Sequence, residues 1–169
     1  MFIAHIPSGY IMSVLICERV RPVRVSSSVV AWAGMIGAVA PDLDMLYFNF
    51  IDHRQTHHHM YLTHWPVLWL SLVAVSILWF RFIGDSKAAF LSLVFSAGGV
   101  LHLILDSFVG DIWLFAPFSK RTYAMFTVPA LYTPWWLNFF FHWSFAVEIA
   151  ICVWALMLYW RRANRKGRG

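Results

Sequence analysis

Charge is scarce in this sequence: 12% of its 169 residues are Asp, Glu, Lys or Arg, and 60% are hydrophobic. A soluble globular domain carries about 25% charged and roughly 45–50% apolar residues. The deficit excludes an ordinary water-soluble domain and points to an integral membrane protein built as a single bundle. Cysteine is nearly absent as well. Cys17 and Cys152 lie far apart in apolar stretches, which excludes a disulfide framework and a Cys-x-x-Cys metal motif. There is no internal repeat and no low-complexity segment apart from a basic C-terminal run. The N-terminus, Met-Phe-Ile-Ala-His, lacks a positive leader and a small-residue cleavage site, which argues against a cleaved signal peptide. The net charge of +5 does not imply a nucleic-acid partner. Five of the thirteen basic residues (Arg161, Arg162, Arg165, Lys166, Arg168) crowd the last nine positions, as in a cytoplasmic tail after a final span.

What is present is long apolar runs. Residues 2–18 form a short first stretch with Pro7 and Gly9 inside it. A second runs over 26–40 and is expected to stop at Pro41, which cannot continue a helix without losing a hydrogen bond. A third covers 65–83, a fourth 88–106, separated by the turn Gly84-Asp85-Ser86-Lys87, and a last one 138–160. Residues 107–137 hold Pro117, Pro129, Pro134 and Lys120-Arg121 and read as a loop with aromatic pieces at the membrane surface. Thr133-Pro134-Trp135-Trp136 fits an interfacial aromatic belt. The expected fold is all-α: a polytopic membrane helix bundle of about four or five transmembrane helices, with one domain over 1–160, a basic tail over 161–169, and an interfacial metal site.

Five spans with the C-terminus inside put Arg19, Arg21, Arg24, Arg81, Lys87 and the five tail residues on the cytoplasmic side, ten of the thirteen basic residues. Arg54, Lys120 and Arg121 fall on the other face. That asymmetry obeys the positive-inside rule and places the N-terminus outside. In this topology His5, Asp42, Asp44, the run from His53 to His64, His102, Asp106 and His142 all gather at the outer face. The opposite orientation would keep them together on the cytoplasmic side.

Such residues are costly near a bilayer and usually mark function, and carboxylates with imidazoles are donors for zinc, manganese or iron. His102 and Asp106 are four apart, so a helix places them on one face, one turn apart; an interhelical hydrogen-bond pair would look the same. Asp42 and Asp44 follow Pro41. One could cap the helix that follows, which leaves the other unexplained. Asp52-His53-Arg54-Gln55-Thr56-His57-His58-His59-Met60-Tyr61-Leu62-Thr63-His64 is dense in His and Asp. Not all of these can bind one centre, so some are expected as supporting partners, substrate contacts or proton shuttles. His5 and His142 are weaker members, each open to satisfaction by a neighbouring helix. Glu148 sits mid-span, where it either pairs in the bundle or is protonated.

The order Pro41-Asp42-Leu43-Asp44, then His59 to Thr63-His64, then Gly98-Gly99-Val100-Leu101-His102-Leu103-Ile104-Leu105-Asp106-Ser107, preceded by His5 and Gly9, resembles the YdjM-like bacterial inner-membrane proteins, described as LexA-regulated and as membrane-bound metal-dependent hydrolases. The resemblance covers about residues 1–120, with Phe115-Ala116-Pro117-Phe118 similar to the family's later aromatic-proline segment. The family's central His-Arg-Gly-x-Thr-His-Ser is matched here by His59, Thr63 and His64; Met60, Tyr61 and Trp65 depart from its arginine, glycine and serine. Arg54 is a candidate for the missing cation. The resemblance implies a hydrolase in the inner membrane.

Residues and resemblance together give this expectation: a membrane-bound hydrolase acting on an ester or phosphoester, lipid-linked substrates included, through a metal-activated water. One or two divalent ions are expected, with ligands drawn from Asp42, Asp44, His59, His64, His102, Asp106 and His5, and the metal is zinc first, manganese or iron second. His57 or His58 passes a proton, and Arg54 holds the substrate's anionic group. Membrane lipid is the expected surrounding partner. The alternative is a protein that binds, transports or senses a divalent metal without hydrolysis. A haem- or quinone-handling protein is a third class, but bis-His haem needs no aspartates.

Overall fold

The computed structural model describes residues 1, 3–19, 24–84 and 86–166. Arg21, Asp85 and Arg168, used above for sidedness, turn and tail, lie outside the described residues. The helices are α1 (His5–Arg19), α2 (Ser27–Val39), α3 (Asp44–Phe50), α4 (Pro66–Ile83), α5 (Lys87–Asp106), α6 (Trp136–Phe140) and α7 (Ser144–Lys166). The described residues contain no strand; one isolated bridge pairs Ile112 with Tyr123. No disulfide occurs among them. The protein is an all-helical bundle. Ser27–Phe50, Pro66–Ile83, Lys87–Asp106 and Ser144–Arg165 are long and apolar enough to cross a membrane. At 15 residues, α1 rises about 22 Å, shorter than a hydrocarbon core of about 30 Å.

Two boundaries differ from expectation. The second span does not end at Pro41. Ala40–Leu43 forms a 3-10 turn with proline at its start, where no backbone donor is needed, and helix resumes at Asp44. The last span begins at Ser144, not Asn138. Before it, the Asn138 side chain ties up the turn: its Oδ1 accepts from Leu131 and Tyr132 N–H, and its Nδ2 donates to Tyr132 and Trp135 carbonyls. His142 Nδ1 then accepts from the Ser144 N–H at 3.4 Å and sits at the start of α7. Residues 161–166, four of them basic, extend α7 by another turn and a half.

Small residues set the packing. A side-chain carbon added at Gly9 would lie 2.6 Å from the Gly34 carbonyl, at Gly98 2.7 Å from the same oxygen, and at Gly37 2.0 Å from the Phe95 carbonyl. Backbones of α1, α2 and α5 therefore meet almost directly, as small-residue interfaces in bilayers allow. The pairings fix direction. Gly9 opposes Gly34 and Ala38, while Met12, Ile16 and Cys17 reach Val30, so α1 runs antiparallel to α2. Val30 packs with Phe90 and Val94, and Ala38 is bonded by His102, so α2 and α5 run parallel. Trp69 covers Gly99, Ser76 shares a hydroxyl hydrogen bond with Ser92 at 2.8 Å, and Phe80 meets Phe90, so α4 returns antiparallel to α5.

This arrangement brings the start of α1, the end of α2, the start of α4 and the end of α5 to one end of the bundle. Glu148 on α7 anchors the first of these. It is buried, and its Oε2 accepts the Ile3 N–H at 2.5 Å and the Ala4 N–H at 3.2 Å. These are donors that a helix start leaves without intrahelical partners. Glu148→Ala is expected to destabilise the protein by about 1–3 kcal/mol, the cost of leaving buried donors unpaired, and Glu148→Gln by less, read as the thermal unfolding midpoint in detergent. Equal stability of Glu148→Ala and the parent would contradict this anchoring role.

Candidate metal centre

Asp42 arrives on the 3-10 turn after α2, His64 on a one-turn segment before α4, and His102 and Asp106 on the last turns of α5. Each offers a ligand atom, and the four atoms lie within 4.8 Å of one another. His64 and His102 are fully buried and Asp106 nearly so, whereas the Asp42 side chain is 33% exposed. Of the four, Asp42 is the one that opens to the surface.

Hydrogen bonds to acceptor oxygens place a proton on Nδ1 of two of the rings. His102 Nδ1 lies 2.8 Å from the Ala38 carbonyl. A carbonyl only accepts, so Nδ1 is the donor and Nε2 presents a lone pair. His64 Nδ1 lies 2.6 Å from Asp44 Oδ2, which also accepts from Thr63 Oγ1 at 2.5 Å. Its Nε2 is left bare in the same way. The two bare Nε2 atoms face each other at 3.3 Å. Asp106 Oδ2 sits 2.9 Å from His102 Nε2 and 3.7 Å from His64 Nε2; Asp42 Oδ1 sits 3.6 and 3.7 Å from the same two nitrogens. With both rings neutral, two lone pairs and two carboxylate oxygens converge on one point. Such a set is repulsive unless a proton or a metal cation sits at its centre. A tetrahedral zinc with bonds of about 2.05 Å spaces its ligand atoms about 3.3 Å apart. The observed separations of 2.9–3.7 Å bracket that value, so the donor set fits a divalent metal. A histidine held by a carboxylate or backbone carbonyl through its far nitrogen is the usual support of a metal ligand.

The remaining expected residues divide. His5 joins the group: its ring stacks on His102 at 3.9 Å between centroids, and its Nε2 lies 3.2 Å from Asp106 Oδ1. The Met1 ammonium bonds the same oxygen, so this buried carboxylate already attracts a cation. His59 is brought in as well, with Nε2 3.5 Å from Asp106 Oδ2. Asp44 stands one step behind His64. His57 and His58 lie at the rim, their rings 5.3 Å apart and stacked, His57 exposed and His58 partly buried. Burial holds His58 down to about 4 and His59 down to about 2, and neighbouring rings add to the burial of both. Both rings are therefore neutral at physiological pH, the form that offers a lone pair. Arg54 is not brought to the group. It occupies an exposed turn, and its Nε donates to Asn49 Oδ1 at 3.0 Å. His142 is tied to Ser144 instead.

The loop between α3 and the histidines is built by a sharp reversal. His53 and Arg54 both adopt left-handed backbone, with φ of 49° and 63°, a conformation uncommon without glycine. Asp52 Oδ2 accepts the Thr56 N–H at 2.7 Å and closes the turn. Two supports escaped the sequence reading. Gly110 lies against His59, where an added carbon would be 2.6 Å from the ring. The indole of Trp69 donates to the Thr63 carbonyl at 2.7 Å and holds the segment carrying His64. Gly110 sits four residues past Asp106, but nothing local signals its contact; it depends on where His59 arrives from fifty positions away.

Asp44→Ala is expected to weaken metal binding on the order of 10- to 100-fold by releasing His64. Asp44→Asn, which keeps an acceptor for Nδ1–H, should weaken it less. Competition with a chelator of known affinity measures both. Unchanged affinity in Asp44→Ala would show that His64 needs no such partner.

A sequence model of the family described as YdjM inner membrane protein matches residues 1–167. The chain belongs to that family and is an inner membrane protein. No curated protein and no solved structure matches it.

Proposed function

We propose that this member of the YdjM inner membrane protein family is a membrane-bound metal-dependent hydrolase of esters or phosphoesters, with Asp42, His64, His102 and Asp106 as its metal centre. The observation that carries the reading is the pair of Nε2 atoms facing each other at 3.3 Å and two carboxylates at 2.9–3.7 Å. Two nitrogens and two oxygens suit zinc, and the carboxylates also admit manganese or iron. A divalent ion held there supplies Lewis acidity, lowering the pKa of water and polarising an ester or phosphoester oxygen.

The chain's own residues do the rest. Ala38 and Asp44 hold the two imidazoles in the tautomer that leaves Nε2 available. The exposed side of Asp42 is where water and substrate enter. His57 and His58, at that rim, are placed to hand a proton to a departing oxygen. Arg54 would meet an anionic group only if the exposed turn carrying it swings inward. The site lies at an end of the bundle, which suits an amphiphilic, lipid-linked or phosphorylated substrate whose polar group stays at the surface. By the distribution of basic residues we place that end at the outer face and the C-terminus in the cytoplasm.

The test uses purified protein in detergent with a bis-aryl phosphodiester and an aryl ester as chromogenic probes. Turnover should appear with added zinc or manganese and vanish with chelator. Metal bound tightly with no turnover of either probe would favour the alternative, a protein that binds, transports or senses metal.

A further inference from the structure

A second group of donors adjoins the first. His58, His59 and His64 each offer a ring nitrogen, and these three atoms also lie within 4.8 Å of one another. The rings of His58 and His59 are 4.0 Å apart between centroids, and His59 is 4.9 Å from His64. His64 is already committed, with Nδ1 to Asp44 and Nε2 to the four-residue group. His58 and His59 are not. Nδ1 of His58 is buried and bonded to nothing, an expensive condition for a polar atom; on His59 the nitrogen that faces a carboxylate is Nε2, and its Nδ1 lies toward Gly110.

Independent observations place oxygen donors beside them. Asp44 is buried, and its Oδ1 is also without a hydrogen bond. That oxygen lies 3.9 Å from His58 Nδ1, too far for a hydrogen bond and close enough for one ion to touch both. On the other side, Asp106 Oδ2 lies 3.5 Å from His59 Nε2 while standing 2.9 Å from His102 Nε2. One carboxylate oxygen therefore faces a ligand of each group. Carboxylates in that position bridge paired metals, which sit about 3.5–4 Å apart in two-metal hydrolases.

We propose that the protein holds two divalent ions, the second taken by His58 and His59 with oxygen from Asp44 and with Asp106 shared between the two. This rests on the metal-centre reading above and extends it. His58 becomes a ligand of the second ion, and the proton-transfer role falls to His57 alone. The pairing also explains the local build. Gly110 has no side chain because His59 must stand against it to face Asp106. The left-handed turn at His53 and Arg54 brings consecutive histidines back over the end of α5. Two ions also suit phosphate esters, whose attacking and departing oxygens a metal pair can hold together.

The experiment is metal stoichiometry by mass spectrometry on the full chain in detergent, equilibrated with Mn(II) and freed of excess. The parent should hold two ions per chain. His58→Ala and His59→Ala should each hold one, with thermal unfolding midpoints confirming that they are folded. The parent loaded with Mn(II) should show the exchange-coupled electron paramagnetic resonance signal of a close pair, a readout that needs no variant. In His59→Ala that signal should collapse to that of an isolated ion. One ion in the parent, unchanged in both variants, would overturn the second site and leave the first standing. No ion in the parent would overturn both. Two ions in the parent without spin coupling would overturn the shared Asp106.

Discussion

Alanine at His102 or at Asp106 should empty the four-residue metal site and abolish all metal-dependent turnover. The two side chains lie one turn apart at the end of α5, and their reactive atoms are 2.9 Å apart. His102 contributes Nε2 and stacks against His5; Asp106 contributes Oδ2 and touches His5 and His59 through its two oxygens. Removing either leaves three donors of the first group. Removing Asp106 also takes away the carboxylate that contacts His5, His59, His64 and His102. Losing a supporting residue costs about 10- to 100-fold in metal affinity, and losing a ligand should exceed that. His142→Ala, outside the group, should leave metal content unchanged. Elemental analysis of the three purified variants decides the matter. Full metal occupancy in either His102→Ala or Asp106→Ala would defeat the assignment.

Valine at Gly37 should prevent the bundle from assembling. An added carbon there would lie 2.0 Å from the Phe95 carbonyl and 2.7 Å from its carbon. Both obstacles are backbone, so no side-chain rotation relieves them, and α2 and α5 would have to separate. That separation would pull the Ala38 carbonyl from His102 Nδ1 and release the tautomer that leaves Nε2 bare. The expected outcome is loss of the folded, monodisperse protein in detergent, with destabilisation in the range of the larger overpacking effects, about 3 kcal/mol or more. Gly84→Ala is the contrasting case. Nothing lies within 4 Å of the added carbon, and the only penalty is the backbone conformation, φ 68° with ψ −156°, about 1–3 kcal/mol. Chromatographic behaviour and unfolding midpoints of the two variants should separate them clearly. A monodisperse Gly37→Val protein with parental stability would contradict the close approach of α2 and α5.

The helices were legible because a bilayer permits little else. Long apolar runs in a charge-poor chain must satisfy their backbone internally, and the third and fourth runs reappear almost unchanged as α4 and α5. The gathering of Asp42, His64, His102 and Asp106 was legible for a related reason: alternating spans return to the same end of a bundle, and costly side chains cluster where they can satisfy one another. The tertiary details were hidden. Pro41 reads as a stop, but a proline at the start of a 3-10 turn removes no needed hydrogen bond, and the helical path runs on to Phe50. Glu148 was visible as an anomaly, while its partners are backbone N–H groups of Ile3 and Ala4, which carry no side-chain signature. Asp44 and Asp42 look alike in sequence. Only the arrival of Thr63 and His64 at Asp44 tells the supporting carboxylate from the one facing His102. Arg54 was singled out for its charge, but the left-handed turn directs it to Asn49.

The most direct test is a crystal structure of the full chain grown with Mn(II) and recorded where that ion scatters anomalously. The account predicts a strong anomalous peak bounded by Asp42 Oδ1, His64 Nε2, His102 Nε2 and Asp106 Oδ2. A map in which those four atoms enclose no peak, while the ion binds elsewhere or nowhere, would contradict it.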